Sequence, residues 1–338
     1  MSAPSPTQRP LTQTDVSRLV HASFGPRAGV ADCGPLHGGG FAAVWWVRLD
    51  DGREVVLKVA PPEGARLLRY ERGLCAAEAR YFRLVAARAP DVPVPPVLHH
   101  GRDPAYGEWL VTGLLPGRSL ADLAADGDAD DGPVRFATGR ALATLHRITG
   151  PCFGYDDGER PCAATWPEAF AAMVDDLLAD AADWEVELPA EPGRIRALVR
   201  RHAPALGVVR HPALLHFDCW DGNVLAAPGP DGRLRLAGLV DGERFLYGDP
   251  LLDLTSPLLF RRVEDEPDHP TVRGYRDVAG PLDLDDGARR RLGLYRMHLY
   301  LVMNVEGPSR GMTPDSHPQR HTALADLLRR ELADLARD

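Results

Sequence analysis

The sequence predicts an α+β chain in two lobes, an N-terminal antiparallel sheet with a helix followed by a mostly helical C-terminal lobe. Three observations predict it. Apolar segments joined by short turns crowd residues 43–59 and 97–112, the signature of half-buried strands. From residue 133 onward the dominant period becomes that of amphipathic helices. One late hairpin, within residues 224–240, interrupts the helical part and carries acidic residues on the loops at its open end.

At 338 residues the chain is long enough for two lobes around a large core. The net charge of −9 argues against nucleic acid or an anionic membrane as partner; it suits a cationic substrate, and solubility explains it equally well. The first ten residues, MSAPSPTQRP, have no apolar core of a signal peptide, and runs such as Phe41–Val47 are too short to span a bilayer. A cytoplasmic protein is expected, as monomer or homodimer. The five cysteines are scattered, odd in number and without metal-ligand spacing, so reduced thiols are expected. Of 39 basic residues only Lys58 is a lysine. The Ala-, Arg-, Gly- and Pro-rich usage suggests a high-GC coding bias against lysine. A lysine retained under that bias marks a position that needs a compact ammonium rather than a planar fork.

In chain order, residues 1–12 are expected to be a disordered tail. Thr14–Phe24 suits a short helix. Leu36-His37-Gly38-Gly39-Gly40-Phe41 reads as a glycine turn, Ala43–Leu49 as a strand, Asp50-Asp51-Gly52 as a tight turn and Glu54–Val59 as the returning strand. Gly73–Arg88 puts Leu74, Ala77, Tyr81, Leu84 and Val85 on one helical stripe, bordered by Glu78. Val92–Pro96 is stiff and extended. Val97–His100 and Trp109–Thr112 read as strands, ended by Gly113-Leu114-Leu115-Pro116-Gly117. The lobes divide there, into residues 13–113 and 114–338.

In the second lobe, Ala121–Gly132 reads as a solvated acidic linker. Pro133–Gly150 reads as a helix. Thr165-Trp166-Pro167-Glu168 is a capping box with proline in the first turn, opening a helix with its stripe at Phe170, Met173, Leu177, Ala181 and Trp184. Asp175, Asp176, Asp180 and Asp183 read first as the wet face of that helix and second as partners for a cationic ligand. Further helices cover Ala288–Glu306 and the stripe Leu324, Leu328, Leu332, Leu335.

The chemistry concentrates in Leu214–Glu243. His216-Phe217-Asp218 is followed by Asn223 on one loop; strands Val224–Ala227 and Arg233–Val240 flank the turn Pro228–Gly232; Asp241-Gly242-Glu243 closes the second loop. A hairpin brings Asn223 and Asp241 together with Asp218 beside them. Two carboxylates and an amide oxygen are hard ligands suited to Mg²⁺. Cys219, inside the loop, reads as a bystander, with a reactive thiol as the alternative.

The spacing H-x-D, four residues, N, then a later D resembles the catalytic and metal loops of kinases. Its D-G-E in place of D-F-G resembles the aminoglycoside phosphotransferase-like family of small-molecule kinases, which takes in antibiotic phosphotransferases and choline-kinase-like enzymes. The resemblance implies a protein-kinase-like fold with a five-stranded antiparallel sheet. It implies that Asp218 accepts the proton of the substrate hydroxyl, Asn223 and Asp241 hold Mg²⁺ on the nucleotide phosphates, His216 braces the loop and Glu243 reaches the metal shell. Lys58 would hold phosphate, paired with Glu78, or with Glu71 as fallback. Gly38, Gly39 and Gly40 would approach phosphate, and Thr112, Gly113 and Leu115 would form the hinge around the base. Tyr247–Asp253 matches the family's G-D-P-x-x-D segment, which makes Asp249 and Asp253 structural, and Ala141–Ile148 resembles the family helix packed behind the catalytic loop, which makes His146 structural rather than a base. The expected activity is Mg-dependent transfer of a phosphoryl group from ATP or GTP to a hydroxyl of a small molecule. From the actinomycete-like composition, an antibiotic (aminoglycoside, macrolide or nucleoside) is the leading acceptor. An amino alcohol or sugar metabolite is the alternative, and a catalytically silent nucleotide-binding scaffold is the reading of another class.

Overall fold

Alternation along the early strands builds the first lobe. The computed structural model describes residues 5–36, 39–127, 130–156 and 162–337. Strands β1 (Val30–Pro35), β2 (Ala43–Leu49), β3 (Glu54–Val59), β4 (Val97–Asp103) and β5 (Gly107–Gly113) form one antiparallel sheet in the order β1-β2-β3-β5-β4. Successive side chains of β3 point to opposite faces. Val55, Leu57 and Val59 join Val47 and Val111 in a core covered by Val16, Leu19 and Val20 of helix α1 (Gln13–Phe24). Lys58 therefore faces the other side, where α2 (Leu74–Arg88) packs through Ala77, Tyr81, Phe82 and Val85.

The expectation of a disordered tail over residues 1–12 does not describe residues 5–12. Thr7 is 2% exposed, and its hydroxyl donates to Gly40 O at 3.0 Å. Gln8 Nε2 donates to Gly39 O at 2.9 Å and Ala42 O at 3.2 Å. Residues 1–4 lie outside the described residues.

The second lobe is helical: α3 (Leu120–Asp126), α4 (Gly132–Leu145), α5 (Trp166–Asp183), α6 (Pro192–Arg201), α7 (Ala203–Leu206), α8 (Pro250–Asp253), α9 (Pro270–Ala279), α10 (Asp286–Val305) and α11 (Pro318–Arg337). Two small sheets thread it. One has the order β10-β9-β6, from β6 (Arg118–Ser119), β9 (Val224–Pro228) and β10 (Leu234–Leu239); the other has β7-β11-β8, from β7 (Gly154–Tyr155), β8 (Ala213–Leu215) and β11 (Leu246–Gly248). Helices α4 and α9 touch through glycines: a Cβ at Gly139 would lie 2.0 Å from Thr271 O, and one at Gly274 would lie 1.9 Å from Phe136 O. Only glycine permits that approach.

Three expectations need correction. The first half of the linker Ala121–Gly132 is helix: Ser119 caps α3, accepting from Asp122 N, and Leu120 is 2% exposed. The all-reduced expectation fails at Cys152 and Cys162, which form a disulfide with Cα atoms 5.6 Å apart; Cys33, Cys75 and Cys219 are free. On the acidic face of α5 one residue departs from the wet-face expectation: Asp180 is 3% exposed and accepts from Arg69 N at 2.9 Å, whereas Asp183 and Asp175 stay exposed, in surface pairs with Arg69 at 2.8 Å and Arg196 at 2.6 Å. No helix among the described residues is long and apolar enough to cross a membrane.

Candidate active site

The site is assembled at the junction of the lobes by one ion-pair network and two strained loops. Lys58 Nζ lies 2.6 Å from Glu78 Oε1, contacts Asp241 Oδ1 directly, and lies 3.5 Å from Glu243 Oε2. Glu78, not Glu71, is thus the helix partner. Glu71 caps the preceding turn, accepting from Leu68 N at 2.9 Å, and pairs with Arg310 at 2.5 Å.

The loop after β8 is held by one buried carboxylate. Asp253 accepts from His216 N at 2.9 Å and Phe217 N at 2.6 Å, and lies 3.0 Å from His146 Nε2. These bonds, with Ser256 Oγ donating to Phe217 O at 2.6 Å, hold Phe217 at φ +67. A left-handed non-glycine residue costs energy and persists only where its surroundings over-determine it. Asn223 Nδ2 donates to Asp218 O at 2.8 Å, which turns its side-chain oxygen away from that carbonyl. His216 Nε2 lies 3.0 Å from Val240 O, and Val240 N donates to Asn223 O at 3.0 Å. His216 therefore ties the two loops together, and His146 packs structurally as expected. Asp241 is also left-handed, at φ +58; Gly242 follows it against the ring of Tyr81, where a Cβ would come within 2.1 Å. Asp249 accepts from Leu251 N at 3.1 Å, from Tyr295 OH at 2.6 Å and from Arg291 Nε at 2.9 Å, a structural knot.

Charge is unbalanced here. Glu78, Asp241 and Glu243 bring carboxylate oxygens within 4.8 Å of one another around a single ammonium. Burial pushes Glu78 up to about 8, with Lys58 opposing, and pushes Glu243 up as well. Asp241 is also buried, but Lys58 outweighs that and holds it below the usual carboxylate range. Three acids sharing one cation have room for another cation, and the Asp241, Glu243 and Asn223 oxygens are the donor chemistry of Mg²⁺. Asp218 is pushed up by burial, partly offset by Arg244. Cys219 is fully buried, and burial raises its thiol far above the ordinary value, the setting of a structural cysteine.

Two cavities meet at this network. One, of about 400 Å³, runs under the glycine turn to the lobe junction and is lined by Val44, Thr112, Gly113 and Leu115. The Gly113 N–H already donates to Pro96 O at 2.9 Å, so that amide is not free for a base. The second, of about 360 Å³, opens on the other side and is lined by Asp218, Arg244, Glu306, Arg310 and Arg320. Lys58, Glu78, Asn223, Asp241 and Gly39 line both; Asp218 and Glu243 line only the second. Gly40 lines the second cavity; Gly38 lies outside the described residues.

Sequence reasoning missed the basic wall of the second cavity. Arg244 Nε lies 3.7 Å from Asp218 Oδ2, and Arg244 Nη2 lies 3.0 Å from Glu306 Oε2. Arg310 sits 3.9 Å from Glu306 and 5.0 Å from the centroid of Phe41, joining the C-terminal lobe to the glycine turn. Arg244 stands next to the D-G-E loop, which was a usable signal; Arg310 and Arg320 carry no motif.

The model of the phosphotransferase enzyme family matches residues 33–292. The chain belongs to that family. Among curated proteins, this phosphotransferase is 32% identical over 163 residues to a probable ketoamine kinase of Escherichia coli, 46% of this chain and 52% of that protein. It is 29% identical over 210 residues to a probable ketoamine kinase of Klebsiella aerogenes, 58% of this chain and 64% of that protein. The matches thus span about half to under two-thirds of those relatives. Among solved structures, the phosphotransferase resembles a candidate fructosamine-3-kinase from Thermobifida fusca, with TM-score 0.66, 22% identity and coverage of 95% of this chain and 100% of that one. It also resembles a thermostable mutant of aminoglycoside phosphotransferase APH(4)-Ia, with TM-score 0.59, 17% identity and coverage of 94% and 98%. At those identities the likeness shows the fold, and the α+β, two-lobed kinase-like expectation holds.

Proposed function

We propose that the chain is an O-phosphotransferase, moving the γ-phosphoryl group of ATP or GTP to a hydroxyl of a small molecule. Residues 13–113 would bind the nucleotide, and residues 114–338 would supply the catalytic loop and the acceptor site. The observation that carries this reading is the seam between the cavities: Lys58, Asn223 and Asp241 border both, while Asp218 faces only the second. A donor in the first cavity would place its terminal phosphate at the seam, and an acceptor in the second would bring its hydroxyl to Asp218.

Phosphoryl transfer needs positioning and neutralisation of oxygen charge more than covalent chemistry. Lys58, held by Glu78, neutralises the non-transferred phosphates. Gly39 and Gly40 let the backbone approach them. Leu115 and the Gly113 carbonyl offer the polar edge for the base, and Thr112 lies behind it. Asp241 and Asn223, with Glu243 beside them, would hold Mg²⁺, which when bound shields the phosphate oxygens. Asp218 orients the acceptor hydroxyl and takes its proton as the oxygen attacks phosphorus in line; Arg244 opposes the rise that burial gives that carboxyl.

For the acceptor, a sugar-derived metabolite of the ketoamine type leads, supported by the curated relatives. Antibiotic O-phosphorylation is the second reading, supported by the fold shared with aminoglycoside phosphotransferases. The α5 aspartates do not add to it, because Asp175, Asp180 and Asp183 are engaged by arginines. The test is nucleoside diphosphate release from Mg-ATP and Mg-GTP with a panel of ketoamines and antibiotics. A true acceptor stimulates release and gains about 80 Da, one phosphoryl group; Asp218→Asn abolishes both. Equal release by Asp218→Asn would sink the reading.

A further inference from the structure

The chemistry of the acceptor can be taken further from the wall opposite Asp218, on the footing of the transfer reading above. That wall has two parts. Leu299, Val302, Met303 and Met312 make one side apolar. The other is cationic, formed by Arg244, Arg310 and Arg320 around Glu306. Arg244 is committed to Glu306 and Asp218, and Arg310 to Glu71. Arg320, in the first turn of α11, is not. Its guanidinium donates to Met303 O at 3.1 Å, and no carboxylate among the described residues lies within 4.0 Å of it. It is partly buried, and burial pulls it below its ordinary value while Glu306 offsets only part. A guanidinium held against a cavity with donors unpaired is a carboxylate or phosphate receptor in form.

We infer that the acceptor is an acid: a hydroxylated molecule with an apolar flank, whose carboxylate or phosphate binds Arg320 while its hydroxyl reaches Asp218. The apolar flank lies on Met303 and Met312. Arg244 and Arg310 are already paired with carboxylates, so the selectivity rests on Arg320: an acceptor without an anion there leaves its donors unpaired and binds more weakly.

The probes are N-fructosyl-valine, its neutral carboxamide, fructose 6-phosphate and kanamycin, each with Mg-ATP and with Mg-GTP. One of the two acids is expected to have kcat/KM at least tenfold above that of the carboxamide, and which one it is separates carboxylate from phosphate recognition. Arg320→Gln should raise KM for that acid at least tenfold with kcat little changed, leave KM for the carboxamide within about twofold, and so erase the selectivity. Arg320→Lys should restore part of it. Carboxamide or kanamycin turned over as well as the acids overturns the inference while leaving phosphotransfer intact; so does an Arg320→Gln loss equal for acid and carboxamide, the mark of a structural role. If no probe is turned over, calorimetry of both acids on Asp218→Asn with a nonhydrolysable nucleotide decides. Binding that Arg320→Gln removes sustains an acid site while the transfer reading fails, and no binding overturns the inference.

Discussion

Arg244 Nε stands 3.7 Å from Asp218 Oδ2, and the same guanidinium reaches Glu306 at 3.0 Å. One arginine therefore acts on the residue proposed as base and anchors the far wall of the cavity it faces. Burial raises Asp218, and Arg244 is the largest influence lowering it. Removing the arginine must raise the pH at which Asp218 ionises. Arg244→Gln is expected to move the acid limb of the kcat/KM profile to higher pH and to cut activity at neutral pH about tenfold or more. An unmoved acid limb would separate Arg244 from the base.

Asp218 and Asp241 should separate kinetically. Asp218→Ala is expected to lose about 10²-fold or more in kcat while nucleotide affinity stays within a few-fold. Asp241→Ala should weaken Mg-nucleotide binding at least tenfold, read by titration calorimetry with and without Mg²⁺. Unchanged nucleotide affinity in Asp241→Ala would remove the metal role.

Glu78 couples the site to stability. Its carboxyl is raised from 4.5 to about 8 in the folded protein, so folding favours the protonated form. That contribution is complete below the unfolded value and is lost as pH climbs toward 8, at roughly 1.4 kcal/mol per unit of displacement for a group titrating alone. The nucleotide-free protein should therefore lose melting temperature between about pH 5 and 8. Glu78→Gln should flatten that slope, at the cost of nucleotide binding through Lys58. A wild-type melting temperature that rises over this window contradicts the assignment.

The segment Ser5–Gln8 touches both lobes, at the glycine turn and at Ser309. Thr7 and Gln8 donate to the glycine-turn carbonyls, while Ser5 Oγ donates to Ser309 O at 3.4 Å. Those bonds orient the turn. Deleting residues 1–8 is expected to raise the nucleotide KM about three- to tenfold, with a small effect on kcat at saturation. Equal kinetics in the truncated protein would show the contact to be incidental.

Local pattern decided much of this protein. The 3.6-residue period placed α2, α4, α5, α10 and α11, and period-two alternation with tight turns placed β2, β3, β4 and β5. The solitary lysine pointed to Lys58, and spacing alone put His216, Asp218, Asn223 and Asp241 at the open end of one hairpin. Such features are legible because they are short-range: a turn, a strand period and a helix stripe involve neighbours in sequence. What the sequence could not settle depends on contacts between distant segments. Glu78 prevailed over Glu71 because Arg310, 239 positions beyond Glu71, took Glu71. Asp180 left the wet face because Arg69 came to it, Thr7 was ordered by the glycine turn, and the disulfide formed because the fold brings Cys152 and Cys162 into register. The arginine wall was invisible for the same reason. Arg244, Arg310 and Arg320 share no motif, and only the packing of α10 and α11 beside the second loop makes them one surface facing Asp218.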